Sequence, residues 1–309
     1  MQVRHLAYFI ALAREKHFAR AAAAANITQP TLSAAIRTLE AEFGTRLVER
    51  GHRFVMLTPA GEKLLEWGRL IVADYTSLRQ AISDPDEGMS GTLRLGVIPA
   101  AAPAVPLLTA SFASAHPRVT IEARTMSSRA LQEALNAFEI DGGITYLATE
   151  PLDHVVASLL YEERYVFLTQ AGHPLASCDS VSWAEALGQP LCLLIPDMQN
   201  RRIIDRVAAA AGLRANPRLV SDSLVGLWAH VAHGPWSSIV PDSLPAMFAG
   251  NERVRAVPLT DPSHVEAIGL VVGEREPHSP MVEALLAVST AIDFRRSLDG
   301  ASQRAAILS

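Results

Sequence analysis

Thr28, Gln29, Pro30, Thr31, Ser33 and Arg37 fall close together and carry donors and acceptors suited to nucleic acid. A Gln amide can bond adenine in two places, and hydroxyls can reach phosphates or bases. An Arg one turn beyond Ser33 can face the backbone or guanine. Arg50 and Arg53 follow in LVERGHRFVML (residues 47–57), which reads as a hairpin turning at Gly51-His52. Such a hairpin would hold both arginines over an adjacent groove. Three junctions further on have the makings of a small-ligand site: Pro99-Ala100-Ala101-Ala102, Thr125-Met126-Ser127-Ser128 and Ile195-Pro196-Asp197-Met198. Each falls between a predicted strand and a predicted helix, where backbone N–H groups and the helix dipole favour an anion. Plain helix capping is the competing reading of Ser127 and Ser128.

The remaining reactive residues point to little. His230 and His233 have a metal-like spacing, but Gly234 marks a helix end, and histidines closing a helix are the simpler reading. Cys178 and Cys192 are too few for a disulfide framework. No nucleophile elbow, P-loop or glycine-rich dinucleotide fingerprint occurs, so no catalytic residue, metal or cofactor is expected.

Definite elements must position the first group. Leu6, Phe9, Ile10 and Leu12 predict an amphipathic helix over 3–15. A small-residue helix follows from Phe18 to Ala25, and a third runs from Gln29 to Glu42, capped by Thr28 with Pro30 in its first turn. Leu32, Ile36 and Leu39 face inward on it. Two short helices joined by such a turn make a helix-turn-helix, the second helix entering the major groove. A generic three-helix bundle with a polar face is the bland alternative. Thr58 and Pro59 then open a helix of roughly 25 residues. Its stripe Leu64, Trp67, Ile71, Tyr75, Leu78 and Ile82 is heptad-like and suggests pairing with a second copy. A polar hinge, residues 84–91, follows.

Charge divides at the same place. The 309 residues carry a net −5. Residues 1–57 hold eight Lys and Arg against four Asp and Glu, a balance of +4 that leaves −9 on the rest. A local basic patch neutralises phosphates whatever the total charge. Residues 91–300 alternate short apolar strands with helices, an α/β pattern that ends in a helix over 280–295. No segment reads as a transmembrane helix or signal peptide, so a cytoplasmic location is expected.

The first ninety residues resemble those of LysR-type transcriptional regulators. The resemblance is carried by Leu6-Ala7-Tyr8-Phe9, Phe18-Ala19-Arg20-Ala21-Ala22, Thr28-Gln29-Pro30-Thr31-Leu32-Ser33, Ile36, Leu39-Glu40, Phe43-Gly44, Leu47-Val48-Glu49-Arg50 and Leu57-Thr58-Pro59-Ala60-Gly61. Thr28 stands where the family usually has Ser, and Val48 where it usually has Phe. The resemblance continues more weakly through Ser90–Gly96, Gly172–Ala176 and Gly234–Pro241. It implies a two-lobed, periplasmic-binding-like effector domain whose lobes are joined by crossing strands near Thr145-Tyr146 and His264–Ala267, with the effector between them. Many relatives carry a hydroxyl residue in the first loop of that domain. Here Ala100, Ala101 and Ala102 would offer only backbone N–H groups.

The expected organisation is therefore α/β overall: a winged helix-turn-helix over 1–58, a linker helix and hinge for dimerisation over 59–90, and an effector domain over 91–300. Its first lobe would be 91–161 with 268–300, and its second 162–267. Thr28, Gln29, Pro30, Thr31, Ser33, Arg37, Arg50 and Arg53 are the expected DNA contacts. Leu64, Trp67, Ile71, Tyr75 and Leu78 would dimerise. Ala100, Ala101, Ala102, Ser127, Ser128, Thr145, Tyr146, Pro196 and Met198 would surround a small carboxylate-like effector. The expected partners are a dyad-symmetric duplex, the effector, further copies of the chain as a homodimer or homotetramer, and RNA polymerase as a candidate; no membrane is expected. A solute-binding protein and an α/β enzyme are the alternatives. The attached helix-turn-helix counts against the first and the lack of a catalytic constellation against the second.

Overall fold

Leu6, Phe9 and Leu12 are wholly buried on one face of helix α1 (Val3–Glu15). The helix ends where Lys16 turns left-handed and its N–H donates to the Leu12 carbonyl at 2.8 Å. This computed structural model describes residues 2–50, 55–82, 88–148, 152–248 and 251–298. The chain divides near residue 87 into two units.

In the first unit, α2 (Phe18–Ala24) buries only Ala21 and Ala22, so its neighbours approach closely. Helix α3 (Gln29–Phe43) starts at the Thr28 cap and stops at Gly44, whose φ of 65° suits a residue without Cβ. Leu32, Ile36 and Leu39 join Leu6, Phe9 and Leu12 in one core, each worth about 1.5–3 kcal/mol on burial. Strands β1 (Val48–Arg50) and β2 (Val55–Leu57) pair antiparallel, Glu49 opposite Met56. The expected turn at Gly51-His52, and Arg53 with it, lies outside the described residues.

Helix α4 (Pro59–Ala81) is capped by Thr58. The Thr58 hydroxyl accepts from Gly61 N–H at 3.0 Å and donates to the Arg46 carbonyl at 2.7 Å, tying helix and wing together. The heptad-like stripe was expected to face a second copy throughout, and here the structure differs. Leu64 and Ile71, with Leu65 and Val72, pack on the core of their own head. Gly68 comes within van der Waals reach of Leu6, which lets the helix lie down on α1. Trp67, Tyr75, Leu78 and Ile82 stay exposed, at 65, 46, 57 and 74%. Tyr75, Leu78 and Ile82 follow on nearly the same face, so the helical period does not separate them; they lie beyond Val72, the furthest residue of α4 packed on that core among those described.

The second unit is built on strand β3 (Ser90–Val97). After α5 (Val105–Ala115) comes β4 (Arg118–Thr125), then α6 (Ser128–Asn136) and β5 (Gly142–Tyr146). Strands β4 and β5 flank β3 in parallel, as right-handed crossovers require. Strand β6 (Val155–Gln170) has sixteen residues, far longer than the short strands expected there. Lobe two continues with β7 (Val181–Ser182), α7 (Trp183–Leu187), β8 (Cys192–Leu194), α8 (Gln199–Ala210), β9 (Leu219–Ser221), α9 (Leu224–His233), β10 (Ser238–Pro241) and β11 (Val254–Thr260). Strand β12 (Val265–Gly273) and helix α10 (Pro280–Thr290) return to the first sheet, α10 burying Met281 and Leu285. The last helix stops at Thr290 rather than Arg295, and a separate helical segment covers 294–298.

The lobes are joined differently from expectation. Tyr146 ends β5 inside the first sheet, where it pairs with Ile268. The crossing is β6 itself. Its first half pairs with β12 up to Arg164, and its second half pairs with β10 and β11. The return crossing runs from β11 into β12 at Thr260–Val265, close to where it was expected.

Candidate functional site

Two surfaces collect the polar residues. On α3 the Thr28 hydroxyl accepts from Thr31 N–H at 3.4 Å and shares a 2.8 Å hydrogen bond with the Thr31 hydroxyl. Both are exposed, as are Gln29, Pro30 and Arg37. Ser33 is half-buried beside this face rather than on its crest. Ala34 and Thr38 are exposed in the same stripe, and sequence reasoning missed them. Their signal was the spacing of three and seven from Thr31. Thr38 turns its hydroxyl back onto the Ala34 carbonyl at 3.0 Å. Glu40 reaches away from this face: its Oε1 accepts from Leu47 N–H at 3.0 Å and from Val48 N–H at 3.4 Å. The carboxylate thereby fastens the wing to α3. The Arg50 backbone lies in β1.

The second surface is a small, partly open cleft between the lobes. Ile98, Pro99 and Ala100 come from the end of β3, Ser127 and Ser128 from the start of α6, and Tyr146 from the end of β5. Leu194, Met198, Gln199 and Asn200 come from β8 and the start of α8. Five expected residues meet here: Ala100, Ser127, Ser128, Tyr146 and Met198. Four do not. Ala101 is wholly buried, and its N–H donates to the Ile98 carbonyl at 3.0 Å. Ala102 N–H donates to the Pro99 carbonyl at 3.2 Å, so a 3-10 turn consumes both amides expected for an effector. Thr145 is wholly buried, and strand alternation turns it away from the face that Tyr146 presents. Pro196 is exposed, with its carbonyl accepting from Arg202 at 3.3 Å.

Gln199 and Asn200 were missed because their positions in the first turn of α8 are visible only once that helix is placed. It begins at Met198 with no side-chain cap, unlike α6, where Ser127 accepts from Ala130 N–H at 3.3 Å. The nearby cation is committed elsewhere. Arg201 is buried, and bonds Asp205 at 3.0 Å and the Leu194 carbonyl at 3.0 Å.

Beneath the cleft lies a polar floor. Tyr146 donates its hydroxyl to Glu163 Oε1 at 2.9 Å. Asn200 Nδ2 donates to the Tyr165 hydroxyl at 3.5 Å, while Asn200 Oδ1 is buried with no partner among the described residues. Burial pushes the Tyr146 and Tyr165 hydroxyls well above the ordinary phenol range, so both stay neutral. Burial also pushes the Glu163 carboxyl up to about 8.

The other candidate groups lie elsewhere. His230 and His233 occupy the last turn of α9, both exposed. Cys192 is buried in the second lobe, its thiol pushed up to about 11 by burial, and Cys178 is exposed. No helix among the described residues is long and apolar enough to cross a membrane.

Comparison with known proteins agrees with this architecture. The family described as "Bacterial regulatory helix-turn-helix protein, lysR family" matches residues 3–62, and the "LysR substrate binding domain" matches 86–291. The DNA-binding transcriptional dual regulator OxyR of Escherichia coli (strain K12) is 30% identical over 309 residues, covering 97% of each chain. The HTH-type transcriptional regulator AlsR of Bacillus subtilis is 28% identical, covering 94% of this chain and 95% of its own. A full-length OxyR variant from Pseudomonas aeruginosa shares the fold with a TM-score of 0.76 at 23% identity, covering 95% of this chain and 96% of that one. A helix-turn-helix head and a clefted α/β domain are thus joined in the family's order, and the chain belongs to the LysR family of DNA-binding transcriptional regulators rather than to an enzyme family.

Proposed function

We propose that this regulator reads a dyad-symmetric duplex through Gln29, Pro30, Thr31 and Arg37, with Thr28, Ser33, Arg50 and Arg53 at the flanks. Ala34 and Thr38 extend the contact surface. Self-association as a dimer or tetramer uses Trp67, Tyr75 and Leu78, which stand exposed along α4. RNA polymerase is a further partner of the assembled regulator.

The effector is a small anion of the carboxylate type, held in the cleft. The observation that carries this reading is the convergence of three chain segments on one small space. Ala100, Ser127, Ser128, Met198, Gln199 and Asn200 all line it, and α8 enters without a side-chain cap. A helix N-terminus beside apolar walls suits a carboxylate with a short apolar body. Binding there shifts the population of lobe arrangements and so the spacing of the reading heads. Calorimetric titration of the full chain with acetate, pyruvate and benzoate tests the effector class. Heat with at least one of them supports it; binding only by neutral or cationic compounds refutes it.

Some relatives are named hydrogen peroxide-inducible genes activators. The residues here favour a bound ligand over thiol chemistry. Oxidation by peroxide needs a thiolate, whereas Cys192 is buried with its thiol pushed up to about 11. Neither Cys192 nor Cys178 lines the cleft.

A further inference from the structure

We propose that Glu163 holds a proton behind the cleft, and that an anionic effector binds with Glu163 in its neutral, protonated form. This rests on the anionic reading of the cleft given above. Three observations carry it.

Glu163 is wholly buried on β6 and stands directly opposite Glu266 on β12, itself only 3% exposed. Two carboxylates in that register repel strongly when both are charged, so one keeps a proton.

The surroundings decide which one. Glu266 already has a polar partner, the His264 ring, with Nε2 2.8 Å from its Oε1. Glu163 has the Tyr146 phenol on Oε1, and its buried Oε2 has no partner among the described residues. Tyr161 and Tyr165 flank it on its own strand, both kept neutral chiefly by burial. Asp242, following β10, adds a further negative charge and is paired with Arg295 at 2.8 Å. Burial is the main reason that the Glu163 carboxyl is raised, with Asp242 and Glu266 adding to it.

Tyr146 then links this proton to the cleft, because the same side chain lines the cleft and bonds Glu163. An ionised Glu163 must take the phenol proton as its hydrogen bond. A neutral Glu163 can instead donate its own O–H to the Tyr146 oxygen, which frees the phenol O–H to turn toward an anion. An anion in the cleft in turn raises the energy of a charge on Glu163. Binding at alkaline pH therefore draws one proton from solvent onto the carboxylate, and no other bond changes. By linkage, affinity falls as pH rises through the titration of the free protein.

The experiment uses the full chain with acetate, pyruvate and benzoate, and with benzamide as the neutral control. Calorimetry at pH 7 and pH 9, in buffers of different ionisation heat, reads affinity and proton uptake together. If the bound anion raises the carboxyl by about one further unit, affinity falls about fivefold over that interval, with net uptake of about 0.4 proton at pH 9. Glu163→Gln, which keeps the shape of the neutral acid, flattens the profile. Equal affinity at both pH values, without proton uptake, overturns the proposal and leaves the anionic reading standing. Binding by benzamide alone, or by none of the carboxylates, overturns the anionic reading and this proposal with it. Infrared spectra of the free chain give a ligand-independent check. A protonated-carboxyl band present at pH 7, lost at alkaline pH and missing from Glu163→Gln supports the stored proton; its absence from the native chain at pH 7 overturns it.

Discussion

Gly61 on α4 lies so close to Leu47 that an added Cβ would fall 2.1 Å from the Leu47 carbonyl oxygen. That oxygen already accepts from Thr58 N–H at 3.1 Å, so it has no freedom to retreat. Gly61→Ala must therefore part the helix from the wing, at about 2–4 kcal/mol of head stability. Gly44→Ala is the control: no heavy atom lies within 4 Å of its added Cβ, and the left-handed φ of 65° alone costs about 1 kcal/mol. Urea denaturation followed by circular dichroism should rank the two in that order. Equal midpoints would remove the close approach as a determinant.

Gln29 is exposed at the start of α3 with its amide unused by the cap, which belongs to Thr28. Gln29→Ala should weaken binding to the specific site by about 1–3 kcal/mol and hardly change binding to random duplex. Gel shifts with both DNAs measure this. Equal losses on the two would mean that the amide contacts phosphate and not a base.

Exposed and packed positions of α4 should respond differently to charge. Trp67→Glu with Leu78→Glu puts carboxylates at exposed positions, and sedimentation should show smaller assemblies without loss of helix. Ile71→Glu instead buries a charge against the head core and should unfold the head. An unchanged assembly state in the double variant would move the interface to another face.

Glu163 also shapes stability. Its carboxyl sits near 8 in the folded chain against an ordinary 4.5. Between those values the folded state binds the extra proton, so this residue's contribution to stability declines as pH rises from about 4.5 to about 8 and levels off above. Glu163→Gln has no such slope. Its stability relative to the native chain should grow through that window and then stay constant, as chemical denaturation at a series of pH values would record. A constant difference would place the proton elsewhere.

Much of this was legible before any coordinates. Thr28 before Gln29-Pro30 announces a capped helix, and Leu6, Phe9, Leu32, Ile36 and Leu39 announce the face it buries, because both signals are local. Ser182 and Glu185, three residues apart, form a capping box by an equally local signal. What escaped was set by tertiary partners. The apolar stripe of α4 does not say which of its residues a neighbouring helix will claim, and only the contact with α1 separates Leu64 and Ile71 from Trp67 and Leu78. Ala101 and Ala102 lost their role because a 3-10 turn uses their amides. Glu163 drew no notice, since one Glu in Glu162-Glu163-Arg164 looks like any solvated charge until strand alternation sends it inward. Asn200 was hidden in the same way.

The unbroken run of β6 has a practical consequence for anyone recombining these regulators. Sixteen residues of one strand, roughly 50 Å of chain, serve as the common beam of both lobes. Cutting there would strip β12 of a pairing edge on one side and β10 and β11 on the other, leaving two sticky fragments. A new ligand specificity must accordingly be transplanted as the whole of residues 88–298, or written in place by point substitutions around the cleft. The half-domain is not an exchangeable cassette.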